Sequence, residues 1–139
     1  MVEPVTLVPN PIQRPDEPRH FMVLKPLAHP VTAAVAGQTI ASSRAALRLQ
    51  EAGRDLYDPV VYFPLDAIPE GLLQPTAKTT HCPLKGDTVY YDVVVGERRL
   101  AAAAWRYVTV CDFDPRLEIL KDRVAFDATK IQVTELTAE

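Results

Sequence analysis

The placement of proline constrains this chain more than any other feature. Seven of the 13 prolines fall in the first thirty residues: Pro4, Pro9, Pro11, Pro15, Pro18, Pro26 and Pro30. Because proline fixes φ and lacks a backbone N–H donor, this stretch can form neither a helix nor a central strand. We predict a Pro-rich extended tail over residues 1–19 and a single β-rich domain over 20–139. For the tail, disorder and packing on a second subunit are the alternatives.

The composition is that of a small compact domain. The chain has 139 residues, of which 47% are hydrophobic, and this is enough to build a core without disulfides or a structural metal. Its net charge of −3 argues against a nucleic-acid-binding protein, which usually carries a basic stripe. The sequence lacks the long apolar run of a membrane span and the features of a secretory signal. We therefore expect no membrane association and a cytoplasmic location.

The cysteine, histidine and acidic residues argue against a metal site. Cys82 and Cys111 stand alone, whereas a structural zinc site usually takes four Cys or His ligands in closely spaced pairs. Asp112 and Asp114 have the spacing of a metal-binding pair, but no glycine turn precedes them. We interpret them as the cap of a helix that begins near Pro115. No metal and no cofactor is expected.

Short apolar and β-branched segments separated by turn residues predict a mainly β, antiparallel fold. The predicted strands are 21–24, 32–36, 39–41, 60–63, 76–82, 88–95, 99–107, 124–126 and 131–133, and short helical turns are predicted within 65–74 and 115–121. Gly37 supplies the backbone freedom for a hairpin turn. The alanine run 101–104 favours a helix by propensity, but its place after a strand and a turn makes us predict a strand. We expect 124–126 and 131–133 to pair as a hairpin.

One main α-helix is predicted over about residues 43–52. Ser43, or the serine before it, can cap the first turn, and Gly53 is a natural residue to follow the last. The apolar face would contain Ala45, Leu49 and Ala52, at three- and four-residue spacing. Arg44 and Arg48 would lie one turn apart on the other side, either as a solvated face or as a clamp for an anion.

The window 79–87 holds more reactive groups than any other part of the chain. Backbone amides near Lys85 and Gly86 could form an anion-binding nest, and aromatic side chains could line a pocket beside it. Strand alternation assigns Tyr91 to the core and leaves Tyr90 for the pocket. The candidate ligand-binding residues are His81, Lys85, Gly86, Thr80, Tyr62, Tyr90 and Trp105. For each of them, ordinary core packing or surface exposure is the alternative interpretation.

Cys82 is the candidate catalytic residue of an alternative function. Lys85, across the turn, would favour the reactive thiolate, which suggests a thiol-dependent enzyme with redox or acyl chemistry. His81 precedes Cys82, so in a regular strand the two side chains face opposite ways and form no dyad. A packed, unreactive thiol is the other interpretation of Cys82. Cys111 has no flanking base, and we interpret it as structural.

Several motifs in a fixed order make the chain recognisable. They are 37–49, Val60-Val61-Tyr62-Phe63-Pro64, the segment from Thr80 to Asp87, Tyr90-Tyr91, Ala104-Trp105-Arg106-Tyr107 and Val124-Ala125-Phe126. From about residue 20 to 133 the chain resembles the bacterial domain of unknown function family 427, sometimes labelled nucleotidyltransferase-like. The resemblance implies a compact domain similar to the β-tent group and implies no activity. The chain departs from the family pattern after Phe126 and in its Pro-rich N-terminal extension.

Three functions stay open on the sequence. The first is a domain that binds a small molecule or anion around the Thr-His-Cys-Pro-Leu-Lys-Gly turn. The second is the thiol enzyme, and the third is a protein-interaction module that uses an open sheet edge or the proline tail. Whether the chain is an enzyme and whether it forms a homo-oligomer are also open. The nucleotidyltransferase label has no support, because no Gly-Ser turn leads into an Asp-x-Asp pair.

Overall fold

Two antiparallel sheets make up almost all of the regular structure. The computed structural model describes residues 10–136. Its strands are β1 (Ile12–Gln13), β2 (Phe21–Pro26), β3 (Val31–Val35), β4 (Gln38–Ser43), β5 (Leu47–Ala52), β6 (Val60–Pro64), β7 (Leu73–Cys82), β8 (Gly86–Val95), β9 (Arg98–Val110), β10 (Arg123–Phe126) and β11 (Gln132–Glu135). Two 3-10 helices span Leu65–Ala67 and Pro115–Asp122. The predicted mainly β, antiparallel fold is confirmed, and its likeness to the β-tent group stays a prediction.

The larger sheet has eight strands and the smaller sheet has three. The spatial order is β1-β2-β5-β6-β10-β9-β8-β7 in the larger sheet and β11-β3-β4 in the smaller one. The paired strands in both sheets are antiparallel. Among residues 10–136, no helix is long and apolar enough to cross a membrane.

Each face of the larger sheet is covered by its own apolar core. Phe63 and Tyr62 are neighbours in β6 but belong to different cores, because successive strand residues face opposite ways. The first core contains Phe63 and buried side chains of β3 and β4, so it lies between the two sheets. The second core contains Tyr62, Leu117 and Leu120 of the longer 3-10 helix, and Leu84 of the β7–β8 turn.

The larger sheet curls around this second core. Lys85, in the turn after the edge strand β7, bonds the Glu51 side chain in β5, although β5 is third and β7 eighth in the sheet. Ile12 of the opposite edge strand is buried in the same core as Leu84. The curl therefore brings the β7–β8 turn towards the other edge of the sheet.

The predicted hairpin turn at Gly37 and the predicted strand over the alanine run 101–104 are both present. Ala36 and Gly37, between β3 and β4, have φ of 49° and 80°, the positive values that a tight hairpin turn requires. The alanine run lies in β9, as predicted, and Ala102 has φ of 49° beside a bulge. The Asp92 carboxylate accepts a hydrogen bond of 2.8 Å from the Ala102 amide, which holds this unusual conformation in place.

The α-helix predicted over residues 43–52 is wrong. Its first residue ends β4, and its last six residues form β5. Leu47 and Leu49 are buried while Gln50 is exposed, which is the two-residue alternation of a strand. Pairing with β2 on one side and β6 on the other satisfies the backbone groups that a helix would have satisfied internally. Consequently Arg44 and Arg48 do not share a helix face, and Arg48 instead pairs with Glu135.

The predicted hairpin of 124–126 with 131–133 is also wrong. β10 pairs with β6 and β9 in the larger sheet, whereas β11 pairs with β3 in the smaller one. The Asp127 carboxylate accepts hydrogen bonds from the amide and hydroxyl of Thr129, at 2.9 and 2.6 Å. This turn sends the chain from one sheet to the other.

The N-terminal proline-rich segment is partly built into the fold. Residues 1–9 of the predicted tail lie outside the described residues. Ile12–Gln13 pair with β2, and the Arg116 guanidinium donates hydrogen bonds to the carbonyl oxygens of Asn10 (2.8 Å) and Pro11 (3.3 Å). Residues 10–13, within the predicted tail, thus pack against the chain's own sheet and its longer 3-10 helix.

Candidate functional site

A buried ion pair connects the β7–β8 turn to the rest of the domain. The ammonium group of Lys85 bonds Oε1 of Glu51, and the two side chains are 10% and 11% exposed. Oε2 of Glu51 lies 2.6 Å from Nε2 of His20, which precedes β2. His20, Glu51 and Lys85 therefore form a polar chain that runs from the protein surface into the interior.

The surroundings of this pair keep both groups charged at neutral pH. Burial lowers the pKa of Lys85, but the ionised forms of Tyr107 and Tyr62 and the Glu51 carboxylate outweigh it, so the net shift is upward. At neutral pH both phenols are uncharged, and the Glu51 carboxylate is the anion that bonds Lys85. Burial raises the pKa of Glu51, but the Lys85 ammonium and the hydrogen bond with His20 outweigh it, so the net shift is downward. The pair is ionised because each partner offsets the desolvation of the other.

Aromatic residues predicted for the site surround this ion pair. The ring centroids of Tyr62 and Tyr107 are 6.5 Å apart, and Lys85 Nζ lies 5.7 Å from the Tyr107 centroid. Trp105 Nε1 donates a hydrogen bond of 3.2 Å to the Tyr62 hydroxyl. Burial raises the pKa of both tyrosines. The structure thus brings the predicted residues Lys85, Tyr62 and Trp105 together.

Tyr90 and Thr80 extend the same group toward the sheet edge. The centroid of Tyr90 is 6.3 Å from that of Trp105, and its hydroxyl lies 3.1 Å from Oγ1 of Thr80. Lys78 Nζ lies 4.3 Å from the Tyr90 centroid. Tyr91 packs against the first core, in agreement with its predicted place. The predicted ligand-binding residues other than His81 and Gly86 therefore form a connected row.

His81 faces a different environment from Lys85. Its Nδ1 lies 2.8 Å from Oδ1 of Asp87, and Thr109 donates a hydrogen bond of 2.7 Å to the other oxygen of that carboxylate. These hydrogen bonds, first that of Thr109 and then that of His81, lower the pKa of Asp87. Both members of the His81–Asp87 pair are exposed to solvent.

The glycine at position 86 is required by packing. Gly86 has φ of 137°, and a Cβ atom there would collide with the carbonyl oxygen of Thr109 and lie 2.7 Å from Cα of Val110. Only glycine allows β9 to approach this closely. The close packing of β9 is a sufficient reason for glycine at this position, and no bound ligand is needed to explain it.

The two cysteines lie close to this turn. Cys82 is half-buried and packs against the second core. The Cys111 thiol donates a weak hydrogen bond of 3.5 Å to the carbonyl oxygen of Pro83. The Lys85 ammonium bonds Glu51. Among the described residues, no hydrogen bond joins Lys85 to the Cys82 thiol that it was predicted to activate. The catalytic role of Cys82 stays a prediction.

A cavity of about 540 Å³ opens beside His20. We call it the basic pocket, and its lining residues are Arg14, Glu17, Arg19, His20, Gly53, Arg54 and Tyr57. The connection between β1 and β2 contributes the first four, and the loop after β5 contributes the other three. Arg14 is held by Asp16 through bonds of 3.1 and 2.8 Å, and Arg19 is held by Glu17 through two bonds of 2.9 Å.

None of the basic-pocket residues was a candidate on the sequence. Arg14, Arg19 and His20 fall in or next to the proline-rich stretch, which predicts a tail. Arg54 follows the segment that was predicted as a helix. A local signal did exist, since three basic residues precede the first long strand, but their meeting with the loop after β5 depends on the β2–β5 pairing.

The described residues offer no obvious metal site. Between residues 10 and 136, no group of three or more His, Cys, Asp or Glu side chains could hold a metal ion. Asp114 is the cap of the longer 3-10 helix, as predicted, and its Oδ1 accepts a hydrogen bond of 2.9 Å from the Arg116 amide.

The comparison with protein families gives one match. Residues 23–137 match the model of a domain of unknown function, DUF427. No curated protein matches the chain. The matched range contains the Lys85–Glu51 pair but begins after Arg14, Arg19 and His20 of the basic pocket. Because the match covers most of the chain, the resemblance seen in the sequence motifs is confirmed, and the chain belongs to the DUF427 family.

Proposed function

We propose that this chain is a small-molecule-binding domain whose ligand is an anion held in the basic pocket. The observation that carries the proposal is the meeting of three arginines and one histidine around a single cavity, where Glu17 is the acidic lining residue and the Asp16 and Glu51 carboxylates bond Arg14 and His20 from beside it. This concentration of basic side chains stands out in a chain with net charge −3. A volume of about 540 Å³ lies within the usual range for ligand sites, about 300–1,000 Å³.

The arginines are suited to a carboxylate or phosphate group. A guanidinium group presents its donors in a planar fork that matches the oxygens of either anion. Asp16 and Glu17 cancel part of the charge of Arg14 and Arg19 and bond the Nε and Nη2 atoms of these guanidinium groups, so a ligand would meet their Nη1 donors. Arg54 is exposed, so its full charge is available to the anion.

The buried Lys85–Glu51 pair links the β7–β8 turn to the basic pocket. Lys85 fixes Glu51, and Glu51 holds the ring of His20 at the wall of the pocket. Lys85 is therefore a positioning residue in this proposal. The sequence predicts a different site, in which the ligand contacts Lys85, His81 and the aromatic residues Tyr62, Tyr90 and Trp105 directly.

Calorimetric titration with inorganic phosphate tests the proposal. Arg54→Ala should weaken phosphate binding by about tenfold or more, because a hydrogen bond to a charged group contributes about 1.5–3 kcal/mol. Arg98→Ala is the matched control, since Arg98 is exposed at the start of β9 and outside the pocket. Equal phosphate affinity in both variants and the unmodified protein would contradict the proposal, as would the absence of binding.

A further inference from the structure

We infer that the anion in the basic pocket carries a planar aromatic ring, which stacks on Tyr57 while the anionic group faces the arginines. This inference rests on the proposed function and names the chemical class of the ligand. A bare phosphate would leave most of a cavity of about 540 Å³ empty, because a water molecule occupies only about 30 Å³ and phosphate a few times that volume. The cavity has room for a further group.

The lining of the pocket indicates what that group is. Tyr57 is 46% exposed, although large aromatic side chains are usually more fully buried. Its neighbour Leu56 is 84% exposed, so the chain presents apolar surface next to the pocket. The Tyr57 amide donates a hydrogen bond of 3.0 Å to the carbonyl oxygen of Glu51, which fixes the backbone that carries the ring. A fixed, exposed ring loses little entropy when a second ring stacks on it.

Gly53 lies beside two rings of the lining. A Cβ atom at this position would lie 3.3 Å from Cδ2 of His20 and 3.6 Å from both Cε2 and the hydroxyl of Tyr57. Both rings can therefore lie close to the Gly53 backbone because this residue has no side chain. A flat ring makes a larger contact with an exposed tyrosine ring than a bulky aliphatic group does. An aryl phosphate or an aryl carboxylate combines this ring with an anion for the arginines.

Three probes separate this inference from the proposed function. They are inorganic phosphate, phenyl phosphate, and cyclohexyl phosphate, which matches phenyl phosphate in charge and size but is not flat. We expect phenyl phosphate to bind about tenfold more tightly than inorganic phosphate, and several-fold more tightly than cyclohexyl phosphate, by analogy with base stacking on aromatic side chains. Equal binding of phenyl and inorganic phosphate, with Arg54→Ala still weakening both, would overturn the inference and leave the proposed function standing. No binding of any probe would overturn both.

Variants of Tyr57 and Gly53 complete the test. Tyr57→Ala should weaken the binding of phenyl phosphate much more than the binding of inorganic phosphate, and Tyr57→Phe should keep the preference for phenyl phosphate. Gly53→Ala should also reduce the affinity for phenyl phosphate more than the affinity for inorganic phosphate, because its methyl group would press on the His20 ring and contact the Tyr57 ring. If Tyr57→Ala still binds phenyl phosphate more tightly than inorganic phosphate, as Tyr57→Phe and Gly53→Ala do, the ring binds elsewhere and the inference is wrong.

Discussion

The β7–β8 hairpin carries two hydrogen-bonded pairs whose surroundings are opposite. The side chains of Lys85 and Glu51 are 10% and 11% exposed, whereas those of His81 and Asp87 are 65% and 59% exposed. His81 and Lys85 are only four positions apart in the sequence. Removing one partner of a buried pair leaves an uncompensated charge in the interior, while water screens an exposed pair. We therefore expect the buried pair to contribute more to stability than the exposed pair.

Loss of the buried ammonium is the change with the largest expected effect. Lys85→Ala should lower the free energy of unfolding by about 3–5 kcal/mol, because Glu51 would remain buried without its cation. Urea denaturation at pH 7 measures this change. A loss below about 1 kcal/mol would mean that water reaches Glu51 and that the two pairs of the turn are equivalent.

The pH dependence of stability should also distinguish the buried pair. The folded-state pKa of Glu51 is below its ordinary value of 4.5, so its contribution to stability is present above pH 4.5 and is lost as the pH falls through the folded-state pKa. Without the Lys85 ammonium, burial should raise the folded-state pKa of Glu51 in Lys85→Ala, so the difference in unfolding free energy between the unmodified protein and this variant should be largest at about pH 8 and shrink as the pH falls toward about 4. Urea denaturation of both proteins across this range checks it, and a difference that grows below pH 4.5 would contradict the assignment.

Replacing both partners should cost less than removing one. In the variant with both Lys85→Met and Glu51→Leu no buried charge remains, so the free energy of unfolding should return to within about 2 kcal/mol of the original. Its phosphate affinity should nevertheless fall, because His20 loses the carboxylate that orients it. Denaturation and calorimetry on the same variant separate these effects. A double variant as unstable as Lys85→Ala would show that packing, rather than charge, holds this region together.

The exposed pair should show the smallest effect. His81→Ala should leave the urea midpoint within experimental error, because water already surrounds both members of the pair. Phosphate affinity should also be unchanged. A variant that folds normally but no longer binds phosphate would instead place the ligand at His81.

Local sequence signals predicted where most strands lie, but they predicted pairing only for strands that are neighbours in the sequence. The β3–β4 hairpin follows from a glycine between two apolar strands, and β8 from a long β-branched run. For β5, the same residues fit both a helical spacing and a two-residue alternation. Pairing with β2 and β6 decided between them, and no local signal reports that pairing. The pairing of the last two strands was predicted wrongly for the same reason, because their partners are distant in the sequence.

Some residues of the candidate site were predicted from the sequence, and others became evident only from the fold. Lys85 and the aromatic row were singled out on the sequence, and the structure brings most of them together. Glu51, the partner of Lys85, is 34 positions away and lay in the predicted helix. The arginines of the basic pocket lay in a stretch whose prolines indicate a tail, and only the folded chain shows that this stretch packs on the larger sheet.

Mapping phosphate binding by NMR tests the central claim most directly. Backbone amide shifts would be followed in the ¹⁵N-labelled protein during titration with inorganic phosphate. The basic pocket predicts that the largest shifts occur at His20, Gly53, Arg54 and Tyr57. Largest shifts at Thr80, His81 and Gly86 would place the anion at the turn and contradict the account, and no shifts at saturating phosphate would show that the pocket binds no such anion.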